Sequence, residues 1–113
     1  MSKDPKDVVI VGAARTPFGK LGGSLKPFQA PELGGMAIKE ALKRSGIAGS
    51  EVSETIYGCV IPAGLGQIPG RQAMWKAGIP LDRPALTINK VCGSALKAVT
   101  LGVQTIKAGD NTV

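Results

Sequence analysis

Histidine is absent from all 113 residues, and that absence restricts the chemistry most. Histidine is the usual general base near neutral pH and the usual partner of cysteine around zinc, so the chain carries neither a His base nor a Cys/His metal site. No zinc or other metal site is expected. Cysteine is nearly absent too: Cys59 and Cys92 have no CxxC spacing, and both are read as thiols of a reducing compartment. Aromatic residues make up 4% of the chain, leaving a core of Val, Ile, Leu and Ala and little to stack on nucleobases. No apolar run approaches the ~18 residues of a membrane span. The apolar stretch Val8 to Ala14 is short for a signal-peptide core and follows a start containing Asp4 and Asp7, so a cytoplasmic location is expected.

The net charge of +6, from 14 Lys plus Arg against 8 Asp plus Glu, raises nucleic acid as a partner, but the charges do not cluster. Lys3 and Lys6 alternate with Asp4 and Asp7, and Lys39, Lys43 and Arg44 share a solvated helix face with Glu40. Neither nucleic acid nor membrane is an expected partner; anionic small molecules remain compatible with the charge.

Strands alternate with helices along the chain, which argues for an α/β layered fold. Val8 to Ala14 is a β-branched run that reads as an interior strand buried on both faces. Arg15 to Ala30 carries too much Gly and Pro for a regular element and reads as a long loop. Pro31-Glu32-Leu33 opens a helix whose apolar side is Leu33, Met36, Ala37 and Ala41, stopped by Gly46; Gly34 and Gly35 on it read as close-packing positions. A second strand is expected at Thr55 to Ile61, a short helix at Arg71 to Ala77 with Met74 and Trp75 as packing residues, and a third strand at Ala85 to Val91. The last helix starts at Cys92 or Gly93, carries Leu96, Val99, Val103 and Ile106 on one face and ends near Gly109.

Two phosphate-binding patterns fail. Gly64 and Gly66 begin a dinucleotide fingerprint that Pro69 breaks, and Gly19-Lys20 lacks both the earlier glycine, replaced by Ala14, and the following Ser or Thr, replaced by Leu21.

The informative segment is Asn89-Lys90-Val91-Cys92-Gly93-Ser94-Ala95, where a buried strand runs into a helix with cysteine at the junction. A sharp strand-to-helix turn presents such a side chain, while the free N–H groups and positive end of the helix favour a thiolate and could hold an oxyanion. Cys92 is therefore the candidate nucleophile, its backbone N–H a candidate oxyanion donor, and Asn89, Gly93 and Ser94 its supporting residues. Cys59, in an apolar setting, reads as a small buried hydrophobe.

Three motifs extend that reading. Ala14-Arg15-Thr16-Pro17-Phe18-Gly19-Lys20 with Gly22 to Leu25, Gly64-Leu65-Gly66-Gln67 with Arg71-Gln72-Ala73, and Asn89-Lys90-Val91-Cys92-Gly93-Ser94 together resemble the thiolase family, specifically acetyl-CoA acetyltransferases. The resemblance covers almost the whole chain in the family's order. Ile68, Gly70 and Ala95 depart from residues common in the family.

The resemblance implies a layered α-β-α fold, of which residues 1–113 would be the incomplete N-terminal portion, with a mixed central sheet and the nucleophile helix. It implies an acyltransferase that joins two acetyl-CoA into acetoacetyl-CoA and CoA, or runs the reverse thiolysis, through an acyl group on Cys92. Coenzyme A thioesters would be substrates, with no resident cofactor; cofactor-binding residues are not assigned. Gln67 and Arg71 would belong to a loop at a dimer interface, and Arg15 would fix the long first loop. The partners implied are a complementary C-terminal segment supplying a His and a second Cys, acyl-CoA, and further copies in a homodimer or homotetramer. Because the reaction needs bases this chain lacks, the isolated segment is expected to be inactive, and Asp110 to Val113 is expected to lead into the next central strand. The alternative is a non-catalytic thiolase-like segment used for binding or assembly.

Overall fold

Glu32 reaches back to start the first helix: the Gln29 amide donates to its Oε2 at 2.7 Å, and Pro31 occupies the first turn, where no amide is required. In the computed structural model, which describes residues 7–113, α1 spans Ala30–Ser45 and ends at Gly46, whose φ of 71° permits the left-handed cap. A short 3-10 turn, Gly49–Glu51, leads to β1, Thr55–Gly58. Then come α2, Pro69–Lys76, β2, Ala85–Ile88, and α3, Ser94–Ala108, capped by Gly109. Lys3, Asp4 and Lys6 of the mixed-charge start lie outside the described residues.

β1 and β2 pair in parallel, Thr55 opposite Ala85 and Gly58 opposite Ile88. Helices α1 and α2 pack together on one face of this pair and α3 on the other, giving the expected α-β-α layering. The expected mixed sheet is, among the described residues, this parallel pair alone.

Buried Val52, Met74 and Ile79 form the core, with Ile38, Leu42, Ile47 and Ala85 packed around them. α1 thus faces inward through Pro31, Gly35, Ile38 and Leu42, a stripe rotated from the one expected, and Met36 is exposed. The small residues set this rotation, because a Cβ at Gly35 would lie 2.8 Å from the Lys76 Cβ, so α1 meets α2 where it has no side chain. α3 follows the same logic. It contacts β1 through Ser94 and Ala98, both buried, and a Cβ at Gly58 would lie 2.6 Å from the Ala95 amide nitrogen. Leu96 and Val99 of the expected apolar face are exposed, and Val103 and Ile106 are half-buried. Met74 is fully buried as a packing residue; Trp75 is not, standing 60% exposed.

Val8 to Ala14 corrects the expectation of an interior strand. The described residues show no ladder there, and Val9, Ile10 and Val11 are 69%, 78% and 56% exposed. A β-branched run becomes a buried strand only when a second backbone offers hydrogen bonds and covering layers close both faces. Here the segment leans on the last turns of α1: a Cβ at Gly12 would lie 2.6 Å from the Ala41 carbonyl, and the Arg44 Nη1 donates to the Ala13 carbonyl at 2.9 Å. The loop after it has no regular element up to Ala30, as expected.

The chain end returns to β1. The Ser53 amide donates to the Val113 carbonyl at 2.8 Å, and Asn111 Nδ2 donates to Glu54 Oε2 at 2.7 Å. An open groove of about 560 Å³ lies between this end, β1, α3 and Ala14.

Candidate active site

Both strands are shorter than expected, and the reason at β2 is the site itself. Ladder pairing stops at Ile88, and Asn89 to Gly93 form a tight turn before α3 starts at Ser94. Cys92 is exposed, one residue ahead of the N-cap Gly93, so it precedes the helix and does not begin it.

The turn is held by two side chains. Asn89 Nδ2 donates to the Val60 carbonyl at 2.9 Å, while its Oδ1 accepts the Val91 amide at 2.9 Å. Ser94, 2% exposed, accepts the Lys90 amide on its Oγ at 2.8 Å and donates from it to the Val91 carbonyl at 2.6 Å. Gly93 and Ser94 close the turn through their own amides, donating to the Lys90 and Val91 carbonyls at 3.0 and 3.1 Å. The structure thus brings Asn89, Gly93 and Ser94 together around Cys92 as backbone fasteners. Val91 between them has φ 48°, in the left-handed region that a β-branched residue rarely occupies. The Lys97 amide already donates to the Gly93 carbonyl at 2.9 Å, as a first helical turn requires.

Cys59 is 7% exposed and its amide donates to the Ile88 carbonyl at 3.0 Å, extending the ladder by one bond. It is the buried small residue that its setting suggested, and both cysteines are free thiols. Nearby Tyr57 has its phenol pushed above the ordinary value by burial and, secondarily, by Cys59. No cluster of three or more His, Cys, Asp or Glu among the described residues is placed to hold a metal ion, and no described helix is long and apolar enough to cross a membrane.

The thiolase N-terminal domain family matches residues 8–113. The chain belongs to the thiolase family. It is 61% identical over 104 residues to an acetyl-CoA acetyltransferase of Cupriavidus necator, covering 92% of this chain and 26% of that protein. It is 48% identical over 112 residues to acetyl-CoA acetyltransferase 2 of Arabidopsis thaliana, covering 99% of this chain and 28% of the relative. The fold superposes on the crystal structure of the Acat5 thiolase from Ascaris suum in complex with coenzyme A with a TM-score of 0.88 at 42% identity, covering 90% of this chain and 27% of that one. The thiolase chain described here thus spans about a quarter of the length of the curated relatives it matches.

In this thiolase segment α2 fastens the loops on both sides of it. Arg71 spends its guanidinium on the Leu81 and Arg83 carbonyls, at 2.8 and 3.2 Å, and Gln72 Nε2 binds the Leu65 and Gln67 carbonyls at 2.6 and 3.0 Å. Gln67 and Arg71, with exposed Ile68, Trp75 and Leu81, line an open surface hollow to which no residue of the Cys92 turn contributes. Arg15 stacks over Phe18, 4.4 Å from the ring centre, and donates to the Thr16 carbonyl at 3.2 Å, a local loop contact. The residue missed in the sequence is Val91. Its only sequence signal is negative: no glycine or asparagine stands where the turn needs a positive φ.

Proposed function

We propose that Cys92 is the nucleophile of a thiolase-type acyl transfer, working in an assembly that supplies the rest of the thiolase fold. The observation that carries this is an exposed thiol on a side-chain-braced turn immediately before a helix N-terminus, in a chain of the thiolase family. The Cys92 thiolate would attack the carbonyl of an acyl-CoA; the C–S bond to coenzyme A breaks, and coenzyme A leaves as a thiol after taking up a proton. A second acyl-CoA, deprotonated at its α-carbon, then attacks the acyl-Cys92 carbonyl, forming a C–C bond and expelling the Cys92 thiolate. With acetyl groups the product is acetoacetyl-CoA, and thiolysis is the reverse.

This chain's part is presentation and charge stabilisation. Gly93 leaves room beside the sulfur, Asn89 and Ser94 hold the turn, and the Cys92 N–H is the oxyanion donor. Proton transfer at Cys92 and at the substrate α-carbon falls to groups outside these residues, since the chain has no histidine. A complementary C-terminal segment with a His and a second Cys fits that need, and Gln67 and Arg71 are assigned to the surface where a second copy meets the first. The reaction calls for no resident cofactor, and a cytoplasmic setting with reduced thiols suits it.

The test is mass spectrometry after incubation with acetyl-CoA, with and without a His-containing thiolase C-terminal portion. An acetyl adduct on the Cys92 peptide, lost in Cys92→Ser, is the expected result. A stable oligomer with no adduct, even with the complementary portion present, would support the binding or assembly reading instead.

A further inference from the structure

We propose that Val91 is the positioning residue of this site: its left-handed backbone, clamped from both sides by Asn89 and Ser94, fixes the direction of the Cys92 amide and side chain. The proposal rests on the reading of Cys92 as nucleophile.

Only Ile68 and Val91 among the described non-glycine residues have a positive φ, 43° and 48°. Branching at Cβ makes this conformation unfavourable, so it persists only where the surroundings over-determine it. At Val91 they do. The peptide plane before its Cα is held by the Val91 amide on Asn89 Oδ1 at 2.9 Å and by the Lys90 carbonyl under the Gly93 amide at 3.0 Å. The plane after it is held by the Val91 carbonyl, which accepts from Ser94 Oγ at 2.6 Å and from the Ser94 amide at 3.1 Å. With both planes held, φ and ψ of Val91 are restrained together.

The second plane also contains the Cys92 N–H. In a trans peptide the carbonyl and the following N–H point in opposite directions, and no cis bond occurs among the described residues. Drawing the Val91 carbonyl toward buried Ser94 therefore turns the Cys92 N–H the other way, away from Ser94. The Ser94 hydroxyl acts on the site through one carbonyl without touching substrate. Glycine at position 91 would take the same φ without steric cost, whereas valine takes it only against strain that the clamps offset.

The experiment measures the second-order rate of Cys92 alkylation by iodoacetamide in the full chain, as wild type, Ser94→Ala and Asn89→Ala, each also in the Val91→Gly background. Labelling of buried Cys59 reports unfolding in every sample. With Val91 present, each clamp variant is expected to slow Cys92 alkylation by about tenfold without exposing Cys59. In the Val91→Gly background the same substitutions are expected to slow it by less than about threefold. Equal losses in both backgrounds would overturn the proposal, because a purely structural role does not depend on the residue at 91. Should Ser94→Ala expose Cys59, the Asn89→Ala pair, which alters an exposed side chain, decides by the same comparison. Acetyl adducts measured on the same variants, each with a His-containing thiolase C-terminal portion added, separate the two readings. Background-dependent alkylation with no adduct in any sample sustains the positioning role and sinks the acyl-transfer reading. Adducts without background dependence do the reverse.

Discussion

Tyr57 donates its phenolic hydrogen bond to the Ala30 carbonyl at 3.0 Å, reaching from β1 into the first turn of α1, and its ring fills the space a side chain at Gly34 would need. The sheet and α1 are locked together at this point. The glycine that weakens the helix in isolation is what lets the ring in.

Two glycines of helical interiors should therefore respond with opposite signs to alanine. Gly34→Ala gains helix propensity but meets a ring that cannot bend away, and a net loss of about 1–3 kcal/mol is expected in urea unfolding. A Cβ at Gly102 would meet nothing within 4 Å. Gly102→Ala should then stabilise by about 0.5–1 kcal/mol. Gly102 lines the open groove, so a partner segment filling that groove would reverse the second sign.

Tyr57 also sets an alkaline limit. Burial, then Cys59, hold its phenol above the ordinary value. The fold favours the protonated form, so its contribution is complete below the unfolded phenol value of about 10 and is lost as pH rises from there toward the folded value. Unfolding free energy measured against pH should decline on that limb in wild type and less in Tyr57→Phe. At neutral pH the same variant should lose about 1 kcal/mol for the Ala30 hydrogen bond.

Arg44 ties the first segment down, with Nε on Glu40 at 2.8 Å and Nη1 on the Ala13 carbonyl at 2.9 Å. Arg44→Ala should speed amide exchange from Val11 to Ala14, read by hydrogen–deuterium exchange, while leaving the Met74 region protected. The Arg44 hydrogen bond holds the Glu40 carboxyl below its ordinary value. That contribution is present above the usual carboxylate range and fades as pH falls through the folded value, so acid should loosen the segment in wild type and not further in Glu40→Gln. The pair is exposed, and the effect should be small.

Arg71→Lys should be costly although charge is conserved. A guanidinium spans the Leu81 and Arg83 carbonyls at once, and an ammonium on a flexible stem satisfies them poorly. A loss of about 1–2 kcal/mol in chemical denaturation is expected, with faster exchange in residues 80–84.

The turn at Cys92 was legible because its parts are local: a short strand, a helix start and small residues fall within a few positions, and the motifs that identify the family lie on contiguous stretches. The Val91 conformation was not legible, since it is imposed by Asn89 reaching Val60 and by Ser94 folding back on the turn. The inward helix faces are hidden from the sequence for a related reason. Apolar periodicity picks out bulky residues, whereas α1 and α3 approach their neighbours through Gly35, Ser94 and Ala98, where the backbones come closest.

By itself the sequence determined where the helices stand to within a residue or two and where the thiol lies among them, because propensity, caps and glycine stops act over a few bonds. Only the tertiary structure decided which helix faces turn inward, that Val8 to Ala14 lies along the last turns of α1, and that Val91 takes a left-handed backbone just ahead of Cys92. These depend on surfaces far apart in the chain, and packing and hydrogen-bond geometry there outweigh what each residue prefers alone.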